Sequence, residues 1–257
     1  MAHVDLNADL GESYSVWTLG ADRDLMPALT SANVACGWHG GDPRVMDDTV
    51  RLATEAGVAI GAHPSFPDRD GFGRRVLDIS AREAETDTLY QVAALQGFCH
   101  RYGAGLQHVK PHGALYNHAN RHPDVAEGIA RGIAAFDPNL ILVALPGSGL
   151  ERAGRNAGLK VAREGFCDRA YNPDGSLVDR RQPGALHTDA RVAAEQAHRM
   201  VTEHKLRCLD GTVIDVEVDT LCCHGDNPHA VAFAREVRRL LEDAGIALRP
   251  MTEIVRS

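Results

Sequence analysis

The stretch GDPRVMDDTVRLATEAGVAIGAH, residues 41–63, contains the unit from which the fold is predicted. Asp42 precedes a segment of helical period from Pro43 to Glu55, and its carboxylate is of the type that caps the start of a helix. A short apolar run from Val58 to Ala62 follows, which is typical of a buried strand. His63 comes directly after that strand. One stretch therefore contains a helix, a strand and a titratable side chain at the end of the strand.

The same unit recurs along the chain. Short apolar runs alternate with longer segments of helical period, which predicts βα units stacked in a parallel sheet or barrel. The remaining predicted strands are Val4 to Asn7, Ala32 to Cys36, Gln107 to Lys110, Leu140 to Leu145, Lys160 to Arg163 and Thr220 to Cys223. The remaining predicted helices are Ala81 to Arg101 after Ser80, Asp124 to Ala135, Ala190 to Glu203 and Ala230 to Ala244. We therefore expect an α/β fold of about seven parallel strands.

Two stretches interrupt this alternation. Tyr171 to His187 is rich in proline, glycine and charged residues. Cys208 to Val218 contains the turn dipeptide Asp210-Gly211 between apolar flanks, which predicts a small hairpin added to the main fold. Since no linker rich in glycine, serine or proline separates two halves, residues 1–257 are expected to form a single domain.

Composition and charge exclude several classes of protein. The 257 residues include 27 Lys and Arg against 35 Asp and Glu, a formal net charge of −8, and no long basic run that would bind nucleic acid. No apolar stretch is long enough to span a bilayer, and residues 1–12 carry acids where a signal peptide would be basic and then apolar. The six cysteines include no CxxC pair. We therefore expect a globular protein with reduced thiols in the cytoplasm.

Titratable side chains follow most of the predicted strands at the point where each strand ends. In a parallel barrel these positions converge on the carboxyl-terminal rim, where such barrels hold their active sites. Their recurrence there predicts catalysis more strongly than any one of them would. They are Asp9 and Glu12 after the first strand, His39 after the second, His63 after the third, Lys110 and His112 at the fourth, Glu164 after the sixth, and His224 and Asp226 after the seventh.

Four of the 13 histidines lie at these strand ends, namely His39, His63, His112 and His224. Together with a carboxylate such as Asp9 they could bind a divalent metal, because neutral imidazole is the commonest metal ligand. No HExxH pair is present, and ligands from different strands have no diagnostic spacing. A hydrogen-bonded structural role for each histidine is the alternative interpretation.

Polar side chains in two predicted strands indicate acid–base and electrostatic chemistry. Asp5, Asn7 and Asp9 alternate and would point to one face of a strand, where an acid could act as a general base or orient a histidine. Lys110 closes another strand, and burial of an unpaired ammonium is costly, so we expect it to face a carboxylate, either Glu164 or the substrate. Stabilisation of negative charge on a carbonyl oxygen is favoured over Schiff-base chemistry for this lysine.

The paired arginines Arg74 and Arg75 end the segment GAHPSFPDRDGFGRR, a loop shaped by prolines and glycines. A guanidinium is a planar fork that suits a carboxylate or phosphate, so this loop could hold an anionic substrate; pairing with surface acids is the alternative. The sequence has no GxxxxGK(S/T), and Gly147 and Gly149 lack the rest of a GxGxxG pattern. The residues alone therefore do not support ATP binding.

Six long motifs in the same order along the chain carry a resemblance to a known family. They are DLNADLGES, SANVACGWHGGDP, GVAIGAHPSFPDRDGFGRR, VKPHGALYN, EGFCDRAYNPDGSLVDRRQPGA and CCHGDNPHA. On these motifs the sequence closely resembles the LamB/YcsF family almost from end to end. The resemblance implies a (β/α) barrel of seven parallel strands, TIM-barrel-like and related to glycoside hydrolases and metal-dependent deacetylases.

The resemblance also implies an activity, that of the A subunit of a bacterial ATP-dependent 5-oxoprolinase. 5-Oxo-L-proline, a cyclic lactam, would be opened to L-glutamate while ATP is hydrolysed to ADP and phosphate, with subunits B and C needed for turnover. Because no phosphate-binding motif is visible, we expect ATP to be held at least partly by partner subunits while this barrel carries the hydrolytic half. The sequence leaves open whether a divalent metal is bound and whether the chain forms a homo-oligomer.

Roles for the matched residues follow from that implied activity. The general base would be Asp9 or His63, and the developing oxyanion would be stabilised by Lys110 and His112. The proton of the leaving nitrogen would be handled by Glu164 or His224, and the substrate carboxylate would be held by Arg74 or Arg75. The substrate site would also contain Asn7, Glu12, His39 and Asp226.

Two other functions would use the same residues. One is a metal-dependent deacetylase or amidase acting on a small substrate without ATP, and the other is a binding subunit that does no chemistry itself.

Overall fold

The computed structural model describes residues 2–223 and 229–255. Within these residues the strands are β1 (His3–Leu10), β2 (Ser31–Ala35), β3 (Ala59–His63), β4 (Leu106–Val109), β5 (Ile141–Ala144), β6 (Lys160–Phe166), β7 (Lys205–Arg207), β8 (Val213–Asp215), β9 (Thr220–Cys223) and β10 (Ala247–Leu248). The helices are α1 (Asp22–Leu25), α2 (Pro43–Ala56), α3 (Ala81–Arg101), α4 (Gly113–Ala119), α5 (Pro123–Phe136), α6 (Gly149–Asn156), α7 (Ala190–Thr202), α8 (Ala230–Asp243) and α9 (Met251–Ile254). A short 3-10 helix, Met26–Ala28, follows α1.

In this part of the chain, seven parallel strands close into a barrel. Their order is β1, β2, β3, β4, β5, β6 and β9, and β9 pairs with β1 as well as with β6. β10 pairs parallel with β1 at the amino-terminal end of β1, with His3 opposite Ala247. The predicted α/β fold and the seven-stranded barrel implied by the resemblance are confirmed.

The predicted hairpin is present, but its bounds differ from the prediction. β7 and β8 pair antiparallel, with Lys205 opposite Asp215. The predicted range began at Cys208, which is wrong because Cys208 and the Asp210-Gly211 turn both lie in the loop between the two strands. β7 has only three residues with a charge at each end, so no apolar alternation marks it in the sequence.

Two barrel strands extend further than the sequence predicted. β1 continues past Asn7 to Leu10, and β6 continues past Arg163 to Phe166. Asp9 and Glu164 therefore lie within strands, and their predicted positions after the strand ends are wrong. A carboxylate normally marks the end of a buried strand because its burial is costly, but both of these carboxylates face a buried cation inside the barrel.

Side chains along β1 alternate between two environments. The even-numbered residues from Val4 to Leu10 belong to the apolar core. Asp5, Asn7 and Asp9 are also buried but hydrogen-bond to side chains of other strands. The alternation predicted from the sequence is therefore present, and its polar face forms the interior of the barrel.

The predicted helix starts are confirmed by their capping bonds. The Asp42 carboxylate accepts hydrogen bonds from the backbone N–H groups of Arg44 and Val45, at 2.8 and 3.1 Å. Ser80 and Glu83 form a reciprocal capping box at the start of α3. Among the described residues, no helix is both long enough and apolar enough to cross a membrane.

Asp5 is a buried carboxylate that three hydroxyl groups hold in place. It is fully buried, and it accepts hydrogen bonds from Thr30, Ser31 and Thr220 at 2.7, 2.5 and 2.5 Å. Burial raises the pKa of Asp5 to about 6, even though the hydroxyl groups act in the opposite direction. The folded protein therefore holds a proton on Asp5 at pH values where the unfolded chain has already released it.

We expect Asp5→Asn to change how stability depends on pH. Since the folded pKa is raised, the contribution of Asp5 is fully present below about pH 4 and is lost as pH rises through about 6. Across that interval the variant should gain about 3 kcal/mol of unfolding free energy relative to wild type. Urea unfolding between pH 4 and 7 measures this difference, and the exposed Asp70→Asn variant is the control. Parallel pH profiles for wild type and Asp5→Asn would contradict the prediction.

Candidate active site

An ammonium group is buried in the interior of the barrel. Lys110, directly after β4, is 2% exposed. Its Nζ lies 3.0 Å from Asp9 Oδ1, 2.7 Å from Glu164 Oε1 and 3.0 Å from Cys222 Sγ. The carboxylate that the sequence predicted opposite Lys110 is therefore present, and a second carboxylate joins it.

These neighbours keep Lys110 charged. Burial by itself lowers the pKa of an ammonium group because the group loses its hydration. Asp9, the sulfur of Cys222 and Glu164 act in the opposite direction, and the resulting pKa of Lys110 lies well above its ordinary value. Since a protonated amine is not a nucleophile, the site favours an electrostatic role for Lys110 over Schiff-base chemistry.

Amide and imidazole groups orient this ion-pair cluster. Asn33 Nδ2 donates to Asn7 Oδ1 at 2.7 Å and to Asp9 Oδ1 at 2.9 Å. His108 Nε2 donates to Asn33 Oδ1 at 2.7 Å. Burial lowers the pKa of His108 to about 3, so its ring is neutral. Position 61 of β3 must be glycine, because a Cβ there would overlap the His108 ring.

Two backbone carbonyls determine where the protons of His63 and His112 lie. His63 Nδ1 donates to the Lys110 carbonyl at 2.6 Å, and His112 Nε2 donates to the Phe72 carbonyl at 2.8 Å. Since a carbonyl can only accept, each of these nitrogens carries a proton. The other nitrogens, His63 Nε2 and His112 Nδ1, face each other and lie 3.0 Å apart.

His39 and Glu12 complete the cluster. The rings of His39 and His112 are stacked, with centroids 3.7 Å apart. Glu12 Oε1 lies 3.0 Å from His39 Nε2 and 3.4 Å from His112 Nδ1. Burial lowers the pKa of His39 and of His112 well below the ordinary value, and the neighbouring imidazoles lower both further. These two rings are therefore neutral near pH 7.

The four side chains fit a divalent metal. Burial keeps the His112 ring neutral, so its Nδ1 presents a lone pair toward His63 Nε2, beside Glu12. One ligand atom from each of Glu12, His39, His63 and His112 lies within 4.8 Å of all the others. Three of the distances between these ligand atoms are 3.0 to 3.4 Å: Glu12 to His39, Glu12 to His112, and His63 to His112. They are close to the ~3.3 Å that separates two ligand atoms of a tetrahedral zinc ion. Imidazole and carboxylate donors also suit other first-row divalent ions.

The backbone at Phe72 is strained where it contacts this cluster. Phe72 has a φ of 54°, in the left-handed region that costs a non-glycine residue roughly 1–2 kcal/mol. Its carbonyl fixes the His112 proton, and its ring lies edge-on to His39 and His112 at 5.4 and 5.3 Å. Gly73 follows with a φ of 62°, and a Cβ there would crowd His112. Strain that is retained at such a position is typical of a functional site.

A cavity of about 860 Å³ opens onto these groups. Asp9, His63, Lys110 and His112 line it, so the Asp9 carboxylate, the Lys110 ammonium group and two of the clustered histidines are accessible from one space. The volume is within the range of small-molecule sites. Glu164 is fully buried and is not among the described lining residues, and its Oε1 contacts Lys110 Nζ.

Most of the residues predicted from the sequence come together here. Of the two predicted arginines, Arg74 lines the cavity, whereas Arg75 does not: its Nε donates to Asp68 at 2.9 Å and its side chain is 64% exposed. His224 and Asp226 lie outside the described residues. The predicted residues that share the site are Asn7, Asp9, Glu12, His39, His63, Lys110, His112 and Glu164. The predicted metal carboxylate was Asp9, but Glu12 occupies that place because Asp9 pairs with Lys110.

Sequence analysis missed Asn33, His108 and Arg169. Asn33 lies in the middle of a predicted strand, and His108 lies two residues before Lys110, hence on the same face. A search for polar residues on the inward face of each strand would have found both. Arg169 lies in an irregular segment and lines the cavity, and no periodicity marks it.

Comparison with known proteins agrees with this fold. A sequence model of the LamB/YcsF family matches residues 4–256. The A subunit of 5-oxoprolinase from Pyrococcus horikoshii is 51% identical over 253 residues, which is 98% of this chain and 99% of that protein. A lactam utilization protein from Thermus thermophilus has a crystal structure with 50% identity and a TM-score of 0.92, covering 96% of this chain and 99% of its own.

A more distant structural likeness shows the fold alone. A T48 deacetylase solved with substrate has a TM-score of 0.50 at 14% identity, over 98% of this chain and 90% of its own. The barrel is therefore shared with a deacetylase, as the resemblance implied. The match of the family model over nearly all of the sequence, together with relatives of about 50% identity, establishes that this chain belongs to the LamB/YcsF family.

Proposed function

We propose that this chain is the A subunit of an ATP-dependent 5-oxoprolinase, a hydrolase that opens 5-oxo-L-proline to L-glutamate. The observation that carries the proposal is the 51% identity, over nearly the whole of both chains, with a protein named as the A subunit of 5-oxoprolinase. The name of the Thermus thermophilus lactam utilization protein supports a cyclic amide as the substrate. The geometry of the site supports hydrolytic chemistry in this barrel.

The reaction consumes two molecules of water. One adds to the lactam carbonyl carbon, the C–N bond breaks, and the nitrogen takes up a proton to become the amine of glutamate. The other is used when ATP is converted to ADP and phosphate. A lactam is a stable amide, so transfer of a phosphoryl group to its oxygen would make the ring carbon more reactive toward water.

Lys110 suits the stabilisation of negative charge on the lactam oxygen. It is charged, buried and on the cavity lining, and a fixed cation in a dry site stabilises a developing oxyanion strongly. Glu164, predicted to handle the proton of the leaving nitrogen, lies 2.7 Å from Lys110 Nζ and away from the cavity. We assign Glu164 a positioning role, in which it orients and neutralises Lys110.

His112 does not suit the oxyanion role that the resemblance implied. Its Nε2–H is committed to the Phe72 carbonyl and its Nδ1 presents a lone pair, so no N–H is left for an oxyanion. We assign His112 instead to a divalent metal site with Glu12, His39 and His63. Such an ion, when bound, would polarise a carbonyl group or a water molecule.

Asp9 is then the general base. His63 Nδ1–H is held by the Lys110 carbonyl, and its Nε2 is directed at the metal site, which leaves His63 no free nitrogen for proton transfer. Asp9 Oδ1 lies on the cavity lining between Lys110 and His63, at 3.0 Å and 3.4 Å. A carboxylate in this position can accept a proton from water as the water attacks.

The nucleotide is held at least partly by subunits B and C. The word subunit in the name of the Pyrococcus horikoshii relative supports a multi-subunit enzyme. The absence of GxxxxGK(S/T) from this sequence supports placing the ATP phosphates on another subunit.

Six free cysteines, all buried, support a reducing compartment such as the cytoplasm.

The histidine and glutamate cluster favours one alternative, a metal-dependent amidase that needs neither ATP nor partners.

We expect glutamate to form from 5-oxoproline only when this chain, subunits B and C and ATP are all present. Enzymatic assay of glutamate, with each component omitted in turn, tests this. Glutamate release by the chain alone without ATP would support the amidase, and no release by the complete mixture would contradict the proposed function.

We expect Lys110→Met to lower kcat of the assembled enzyme by about 100-fold or more, because the oxyanion loses its fixed cation. Removing one partner of a buried ion pair also costs about 3–5 kcal/mol of stability, so the Lys110→Met/Glu164→Gln double variant is measured beside it. Lys205→Met, which removes an exposed hairpin lysine, is the control. Full activity in a folded Lys110→Met protein would exclude Lys110 from the chemistry.

We expect the purified chain to contain about one divalent metal ion, with His112→Gln lowering the metal content about tenfold or more, because the cluster loses a ligand. Elemental analysis by mass spectrometry measures the content directly, before and after incubation with a chelator. His100→Gln, an exposed histidine at the end of α3, is the control and should retain metal. Equal metal content in the two variants would contradict the assignment.

A further inference from the structure

Positive charge is concentrated on the wall of the cavity. Five arginines line it, against the carboxylates of Asp9, Asp174 and Asp179. The protein as a whole has a formal net charge of −8, so the cavity differs in sign from the rest of the molecule. A cavity of this kind favours an anionic ligand. The five arginines are Arg74, Arg121, Arg169, Arg180 and Arg181.

Arg169 differs from Arg181 in burial and in its partners. Arg169 is 4% exposed, and Arg181 has an 89% exposed side chain that pairs with Asp179. Arg169 Nη2 donates to the Val178 carbonyl at 2.6 Å. Its Nε is buried and has no hydrogen-bond partner within residues 2–223 and 229–255. No described carboxylate lies within ion-pair distance of Arg169.

The guanidinium of Arg169 is charged and is held in place by hydrogen bonds. Burial lowers the pKa of Arg169 to about 10, with Arg180 adding to the effect, which still leaves it protonated near pH 7. Its backbone carbonyl accepts a hydrogen bond from Gln196 Nε2 at 2.8 Å. A buried charge with an unused N–H is costly unless a ligand satisfies it, because the group has lost water without gaining a partner.

We infer that Arg169 binds an oxyanion of the substrate, through the part of its guanidinium that lines the cavity, on the wall that Lys110 also lines. The inference rests on the proposed function for the identity of the substrate. The oxyanion is the carboxylate of the lactam acid or the phosphate of a phosphorylated lactam, since both match a planar guanidinium. Arg169 thus takes the role that the sequence analysis gave to Arg74 or Arg75.

The arrangement explains how a small ring would be oriented. Lys110 and Arg169 both follow barrel strands and both line the same cavity, so one cation can face the carbonyl group and the other the acidic group. A lactam without an acidic group would lose the second contact. The site should therefore select lactam acids over neutral lactams.

Binding to the purified chain tests this without relying on turnover. Calorimetric titrations use 5-oxoproline, inorganic phosphate and the neutral lactam 2-pyrrolidinone. Wild type should bind 5-oxoproline or phosphate, and 2-pyrrolidinone about tenfold more weakly or not at all. Arg169→Gln should weaken binding of the anion about tenfold or more. Arg191→Gln, which removes an exposed arginine of α7 that is not among the described lining residues, is the control and should change binding less than about twofold.

Comparison of 5-oxoproline binding with phosphate binding distinguishes a carboxylate ligand from the phosphate of a phosphorylated lactam. Loss of 5-oxoproline binding in Arg169→Gln identifies the carboxylate, and loss of phosphate binding alone identifies a phosphorylated lactam. Arg169→Lys keeps the positive charge but removes the planar guanidinium, so it tests the contact between the guanidinium and the anion. Thermal melting of each variant shows whether it is still folded. A selenate soak of wild-type crystals, with the anomalous peak expected at Arg169, requires no variant.

Three results would overturn the inference. They are equal anion binding by wild type and a folded Arg169→Gln protein, no binding of either anion by wild type, and a selenate peak away from Arg169. Failure of the assembled enzyme to form glutamate would contradict the proposed function and leave these binding results unaffected. The two ideas can therefore fail separately.

Discussion

A buried ammonium group, that of Lys110, sets the requirements for the interior of the barrel. An unpaired cation at 2% exposure would destabilise the fold, so carboxylates must approach it from other strands. Asp9 on β1 and Glu164 on β6 do so, at 3.0 and 2.7 Å. The two strands that supply them are those that run further than the apolar pattern predicts, because their inward positions are polar and paired.

The histidine cluster depends on the same lysine through the backbone. The Lys110 carbonyl accepts the His63 Nδ1 proton, and the strained Phe72 carbonyl accepts the His112 Nε2 proton. These two bonds leave His63 Nε2 and His112 Nδ1 facing each other beside Glu12, and these atoms fit a divalent cation. Asp9 lies between the ammonium group and this cluster, 3.0 Å from Lys110 Nζ and 3.4 Å from His63 Nε2, and the ammonium charge favours the ionised form of its carboxylate.

Charge also decides what can enter the cavity. The surface of an acidic protein repels anions in general, whereas a wall of arginines attracts them locally. Selectivity for a lactam acid follows when one buried guanidinium recognises the acidic group and one buried ammonium faces the carbonyl group. The chemistry of the substrate is thus divided between two cations, each held by a different part of the barrel wall.

The sequence by itself determined the order of the barrel strands and of the five longest helices, since apolar period and capping residues such as Asp42 and Ser80 act over a few residues. It also determined that titratable groups lie near strand ends. Only the tertiary structure decided their pairing: Glu12 joins the histidines, Asp9 and Glu164 share Lys110, and Arg74 and Arg169 rather than Arg75 line the cavity. The physical reason is that contacts across a barrel join residues more than a hundred positions apart, such as Asp9 and Lys110, and no local spacing encodes which partners meet when the sheet closes.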